Sequence, residues 1–497
     1  MWTERRAIIT YALSLLSLAE IIDLTIVSVA IPDLMGALGA NINEISLTMT
    51  SYIVAAAICI PLTGLLTRKY GTKDVALFSI LVFGLASIMC GTASTLQEMI
   101  VYRLIQGVGG AFLPALAQSY VVENFTEQEQ PKVMTVVTLC IVLGPIIGPI
   151  MGGYIIENMN WRWIFYVNVP ICILGFTLIA LLMDEVKNKD VKVDYISFAF
   201  MAIGIGCLEY FVDEGNSHNW LESITMICYL ATAIIALGFF IWRGILGSSV
   251  VKLAIFKNKN FVLSSLVLFI FFATLSGCLS FFPSMLQIAY GMPVNTAGYL
   301  QAPRGVAAII AAPLYLLLSK HIDARILMMV AMIIAGASTL AMGLLSPSPN
   351  IHLILLLVVF QGVGMIGVFV LLMSIAYIGV ADNLVADTSG VFNFFRNFSV
   401  SIGTSVASTM LSRQQQVVWH DLGEHISYYA LGFATWAQNL GGMRKSAIPM
   451  VVHELMRASY LQSYLDVFYA SGWILIGISW LPLLLKRPDP NAKVHMG

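Results

Sequence analysis

Two acidic residues, Glu20 and Asp23, stand three positions apart inside a long apolar run near the N-terminus. On a helix that spacing puts them on one face. An ionisable residue at the centre of a membrane-spanning helix costs about 2.5–3.5 kcal/mol on insertion scales, and such residues face a cavity or a partner. A carboxyl held there can alternate between a proton and a cationic substrate, which is a direct route to exchange. The alternative is a structural ion pair with a neighbouring helix. Arg103 is the natural partner. Asp23 lies nine residues before Pro32 and Arg103 a few residues into its own apolar run, so at about 1.5 Å per residue both fall roughly 9–14 Å below the same membrane face. An arginine stays charged, so it holds a nearby carboxylate ionised until substrate or proton changes the balance. Otherwise Arg103 only caps backbone carbonyls of a neighbouring helix.

Other polar groups interrupt apolar runs: Gln106, Arg304, Asn393, Arg396 and Asn397. They either line a cavity or bind span to span. A different pattern occupies 144–153, where Gly144, Gly148 and Gly152 recur every four residues with Pro145, Pro149 and Gly153 between and after them. Such a strip admits a close helix, and the prolines remove backbone donors and bend the chain. These residues are conformational, a packing groove and a bend sealing the outer side, and not substrate-binding.

The elements that position these groups follow from composition. The chain has 497 residues, 59% hydrophobic and 11% charged, against about 25% charged in a soluble domain. Most of its surface must therefore face lipid. The net charge of −1 gives no reason to expect nucleic acid. Apolar windows long enough to cross a bilayer fall near 7–31, 46–66, 75–95, 98–122, 133–156, 163–183, 195–212, 221–243, 261–286, 297–319, 326–345, 351–376, 388–411 and 464–485, which makes fourteen. The first is read as a retained span and not a signal peptide, because it contains Glu20 and Asp23 and lacks a small-residue cleavage site. With both termini inside, 18 of the 26 Lys and Arg residues fall on the cytoplasmic side and 5 outside. That asymmetry supports cytoplasmic N- and C-termini.

An internal repeat organises the spans. Gln106-Gly107-Val108-Gly109 in the fourth window matches Gln361-Gly362-Val363-Gly364 in the twelfth. An offset of eight spans implies an all-α polytopic protein built as two six-helix halves with two helices inserted between them. The expected units are 1–190, 191–250 and 251–497, the last with a polar external loop at 412–463. Related halves around a midplane site are a transporter architecture.

The residues resemble the major facilitator superfamily, specifically its fourteen-span drug:proton antiporter branch (the EmrB/QacA type), over nearly the whole chain. Asp23-Leu-Thr25-Ile-Val-Ser-Val-Ala30-Ile-Pro32 is similar to the branch's first-span motif. Gly64, Arg68, Lys69, Gly71 and Lys73 resemble the superfamily's first-loop signature, and Arg103 through Gly110 its buried-arginine motif. The stretch 144–153 resembles the antiporter motif, Trp161–Pro170 the entry to span 6, and Ala302–Gly305 and Phe392–Asn397 stretches of spans 10 and 13. Two positions depart from the pattern. Arg68 stands where the signature often has an aspartate, so the charge-relay role of that aspartate does not transfer; Glu20 is outside the branch motif. The resemblance implies a proton-coupled secondary transporter exporting amphipathic small molecules from the bacterial inner membrane. It implies contact with membrane lipids and, in Gram-negative members, a periplasmic adaptor protein and an outer-membrane channel, for which 412–463 is the candidate surface. An exporter of one metabolite, siderophore or lipid is the alternative.

An enzyme is the contrasting class. A polytopic lipid-modifying enzyme needs a nucleophile, base or metal cluster near one membrane face, and no such constellation occurs, so no catalytic residue is expected. The absence of G-x-x-x-x-G-K-[ST] argues against ATP as the direct drive; the proton gradient is the expected energy source, without a cofactor. His420, Glu424 and His425 are the only close grouping of ligand types, in a polar segment without cysteine, and no metal site is expected. The seven cysteines, none in a CxxC pair, read as small buried hydrophobes.

Overall fold

The computed structural model describes residues 2–40, 42–126, 129–184, 194–216, 218–246, 251–348, 350–376, 380, 384–424 and 444–485. Among them there is no strand. In lipid a helix satisfies its own backbone polar groups, and apolar runs of this length leave no alternative short of a closed barrel. The chain runs through α1 (Trp2–Leu38) into α2 (Ile42–Cys59), then through the turn Ile60–Leu62 into α3 (Thr63–Tyr70). Next come α4 (Thr72–Thr92), α5 (Leu96–Gly110), α6 (Leu113–Asn124), α7 (Gln130–Asn158), α8 (Trp163–Tyr166) and α9 (Asn168–Leu182). Two helices follow, α10 (Tyr195–Glu214) and α11 (Ile224–Ile245). The remainder forms α12 (Lys259–Ser284), α13 (Val294–Tyr299), α14 (Ala302–Leu318), α15 (Ala324–Met342), α16 (Ile351–Ala376), α17 (Val385–Glu424) and α18 (Arg444–Gly477).

Twelve helical stretches are long and apolar enough to cross a membrane, and α7, bent by 45° at its prolines, makes thirteen. The bend lies where Pro145 removes a backbone donor. α17 adds a further long helix. Its Asp, Arg, Asn, Ser and Gln content keeps it below that measure, yet it packs along α12 and α18. The expected fourteen crossings are compatible with this set.

Local signals set several ends. Thr95 and Glu98 form a capping box at the start of α5, satisfying two otherwise orphaned donors. Asp194 caps α10 through Ile196 and Ser197, and its other oxygen takes Arg243 of α11 at 2.8 Å. Gly71 turns the chain between α3 and α4 at a φ of 88°, a conformation that favours glycine.

The packing recurs along the chain. α1 lies against α7 and α9 as α12 lies against α17 and α18. α4 lies against α5 and α9 as α15 lies against α16 and α18, and α2 packs on α5 as α14 packs on α16. The repeated Gln-Gly-Val-Gly has a physical reason in these contacts. A Cβ on Gly107 would stand 2.5 Å from the Tyr52 carbonyl oxygen, and one on Gly362 3.0 Å from the Arg304 Cα. In each case only glycine lets the helix approach its neighbour's backbone. The two groups of helices meet along a seam: α7 touches α13 and α14, while α17 touches α2, α3 and α6. α10 and α11 pack on each other, α10 also on α2 and α17. α11 leaves Ile234, Ile235 and Ile245 more than 60% exposed, a surface fit for lipid.

One expectation changes. The segment 412–463, expected as a polar loop, is helical wherever it is described: α17 continues to Glu424 and α18 begins at Arg444. Helix propensity and hydrogen bonding do not stop at the bilayer face, and polarity alone does not end a helix. Between the two helices, Gln414 donates to Asp466 at 2.8 Å. Residues 425–443, with His425 and Trp436, lie outside the described residues.

Candidate functional site

Asp23 of α1 is fully buried, and two other helices supply its three partners. Arg103 Nη1 donates to Oδ2 at 2.5 Å; Gln106 Nε2 and Asn168 Nδ2 donate to Oδ1 at 2.9 and 2.6 Å. Arg103 and Gln106 come from α5 and Asn168 from the first residue of α9. The guanidinium donates further, through Nη1 to Gln106 Oε1 at 2.7 Å and through Nε to the Thr48 carbonyl at 3.2 Å. Its carbon lies 4.4 Å from the centroid of the Tyr52 ring, a cation–π contact strengthened by desolvation. The two readings of Arg103 therefore both describe it: it pairs with Asp23 and it also caps a carbonyl. Charge, hydrogen bonds and ring contact converge on one buried ion pair.

Glu20 sits one turn away in a different environment. It is also buried, but among the described residues Tyr52 is its one hydrogen-bond donor, at 3.3 Å, and Oε2 has none. The strongest opposite charge acting on it is Arg396 of α17, across the seam. Arg396 in turn donates to Asn397 Oδ1 at 3.0 Å, and its Nη1 has no acceptor. Asp23 is thus held within one group of helices, whereas Glu20 looks from that group toward the other.

The second group repeats part of this arrangement without a carboxylate. Gln361 donates to Thr339 at 2.9 Å as Gln106 donates to Ser87 at 2.9 Å. Gln361 accepts from Arg304 of α14 at 2.7 Å, where Gln106 accepts from Arg103 of its own helix. Asn393 donates across the seam to Gln118 of α6 at 2.7 Å. Arg304 and Asn393 thus bind span to span, and Asn393 does so between the two groups.

The glycine strip of α7 receives α1. Gly144 faces Ile21, Gly148 faces Thr25 and Gly152 faces Ile26. Beyond the bend, Pro149 and Ile150 face Gly298 of α13. The strip is therefore a contact inside the first group, and the turn of α7 after the bend is the part that reaches the seam; Gly153 is buried beside the strip.

At the other end of the seam, Arg68 of α3 forms an ion pair with the fully buried Asp387 of α17, and Gly64 gives Asp387 room to approach. Lys73 donates to the Ala180 carbonyl near the end of α9 at 2.9 Å. The first-loop resemblance gave Arg68 no partner; the structure supplies Asp387. Asp387 is an acidic residue just outside an apolar window, which was its one visible signal. Tyr52, Thr48 and Gln118 were missed because single polar residues within apolar windows look alike in sequence. His420 and Glu424 stand 3.1 Å apart and exposed, and no three ligating side chains gather among the described residues.

The model for the family described as "Major Facilitator Superfamily" matches residues 13–404. The multidrug export protein EmrB of Escherichia coli (strain K12) is 30% identical, across 95% of this chain and 94% of that protein. The fatty acid resistance protein FarB of Neisseria gonorrhoeae is 29% identical across 95% of both. Among solved structures, the proton:xylose symporter XylE superposes with a TM-score of 0.60 at 13% identity, covering 100% of this chain and 99% of the other.

Proposed function

Given that the chain belongs to the major facilitator superfamily, and so is a multi-pass membrane transporter and not an enzyme, we propose that it exports amphipathic small molecules in exchange for protons. The observation that carries the coupling is the contrast between Asp23 and Glu20. Asp23 has every oxygen occupied by donors of its own group of helices. Glu20 has an open oxygen and its counter-charge, Arg396, on the other side of the seam. When the halves 1–190 and 251–497 rock, the distance between Glu20 and Arg396 changes, while that between Asp23 and Arg103 does not. Glu20 is therefore the carboxyl that trades a proton for a cationic substrate, and the Asp23–Arg103 pair is the fixed charge beside it. The sequence placed Asp23 first; the geometry supports giving the exchange to Glu20.

Glu20→Gln removes the exchangeable proton and keeps the side chain's shape. In proteoliposomes with ethidium as the probe, proton release on ethidium addition is expected to fall at least tenfold, with the thermal midpoint unchanged. Wild-type release from the variant removes Glu20 from the coupling site. A narrower, lipid-like substrate is the second reading, favoured by the relative named for fatty acid resistance; growth of expressing cells on long-chain fatty acids against growth on ethidium separates the two.

The bacterial inner membrane, with both termini cytoplasmic, is the location this reading requires, and the proton gradient its only energy source. The outer ends of α17 and α18 are the surface assigned to a periplasmic adaptor. An adaptor cross-link that survives deletion of 420–455 would discard that assignment.

A further inference from the structure

The inserted pair has a buried carboxyl of its own. Glu209 of α10 is fully buried, and neither of its carboxylate oxygens meets a donor with hydrogen-bonding geometry. The helix places it where three elements converge. Gly206, three residues earlier, faces Val54 and Ile58 of α2. Asp213, four residues later and on the same face, accepts from Thr50 of α2. Across the seam the polar group opposite Glu209 is the hydroxyl of Ser401 on α17, also without a partner of good geometry.

Among the described residues no cation is found to balance this group. Asp213 is the charge acting on it from its own helix. On the helices packed against α10, Tyr229 of α11 packs on Tyr210, Tyr52 of α2 is bound to Glu20, and Arg396 of α17 has Glu20 as its charge partner. A buried ionised carboxylate without a counter-ion is penalised far more heavily than the neutral acid. Glu209 is therefore stable in this arrangement as the acid and becomes a carboxylate only when the seam opens to water or to a donor. Its depth suits loading from one side. Five residues separate it from the end of α10 at Glu214, about 7.5 Å at a helical rise of 1.5 Å per residue, and Asp213 lies between it and that end.

We propose that Glu209 is a second proton-carrying site, loaded from the outer face past Asp213, through which the inserted helix pair takes part in coupling at its contact with α17. The step is simple: a carboxylate binds one proton when that contact is open to the outside and releases it when the contact with α2 and α17 changes. It rests on the exchange reading above but not on Glu20.

The test uses the full-length protein in lipid nanodiscs. Infrared difference spectra across a pH step report buried carboxyls by their protonated C=O band. A titrating band that is absent in Glu209→Gln but present in Glu20→Gln is expected. The protons released per ethidium should also fall in Glu209→Gln. Identical spectra for wild type and Glu209→Gln overturn the proposal, as does loss of the band with proton release per ethidium unchanged, which would make Glu209 a permanently neutral structural group. Asp213→Asn leaves Glu209 in place and covers the case in which Glu209→Gln does not fold. It should slow the band's return after a pH jump at least several-fold; unchanged kinetics reject loading past Asp213. A titrating Glu209 band beside wild-type coupling in Glu20→Gln would place the failure on the Glu20 reading alone.

Discussion

Replacing Arg103 by glutamine is expected to destabilise the protein by about 3–5 kcal/mol, the range for removing one member of a buried ion pair, and to abolish transport. Asp23 would remain buried with only the amide donors of Gln106 and Asn168. The Thr48 carbonyl would lose the guanidinium and keep the Ser51 hydroxyl, and the Tyr52 ring would lose its cation. Asp23→Asn alone leaves the opposite fault, a buried guanidinium without a carboxylate. The double variant Asp23→Asn/Arg103→Gln removes both charges, so most of the stability loss should return although coupling does not. The measurement is a double-mutant cycle on thermal midpoints in detergent, run beside ethidium efflux. Strictly additive losses would mean that the two side chains do not interact, since groups in contact depart from additivity by 0.5–3 kcal/mol.

The second large effect concerns the end of the seam where α3 meets α17. Arg68→Asp sets two carboxylates against each other where Arg68 and Asp387 now pair. Asp387 is fully buried and has no water to relieve the repulsion. Each ~1.4 kcal/mol by which the closed arrangement is raised lowers its population about tenfold, and ethidium efflux should fall at least that far. Exchanging the charges, Arg68→Asp/Asp387→Arg, should restore a substantial part of the activity, because the pair is rebuilt with its ends reversed. Efflux that stays as low in the exchanged variant as in Arg68→Asp would show that Arg68 matters for membrane orientation and not as a clasp between α3 and α17. The pair also supplies a reason for Arg68 where the first-loop signature often has an aspartate: here the carboxylate is contributed by α17.

The spans were legible because lipid imposes a simple rule, about twenty apolar residues per crossing, and the chain obeys it almost everywhere. α17 is instructive because it was found by window but is too polar for a strict apolarity test. Its polar residues face neighbouring helices, as Asn393 faces Gln118 and Asp387 faces Arg68. The Asp23–Arg103 pair was legible for a related reason. A charge in an apolar run requires a counter-charge, and helical rise placed Arg103 at a matching depth. Gln118, Tyr52 and Asp387 were not legible in this way. Their significance lies in contacts spanning 32 to 319 positions, and no local pattern encodes which helix will be opposite. The helical ends of 412–463 were missed because the polar composition that rules out a span does not rule out a helix.

α17 runs for 40 residues with no proline, about 60 Å at 1.5 Å per residue and twice the hydrocarbon thickness of about 30 Å. It is a rod longer than a membrane is thick. Asp387 stands at one end, clasped to Arg68, and Gln414, three-quarters of the way along, is tied to Asp466 of α18. A rod that tilts about its middle moves its two ends in opposite directions by comparable amounts. Loosening the Arg68–Asp387 clasp would thereby shift the far end of the helix, beyond Gln414, the opposite way.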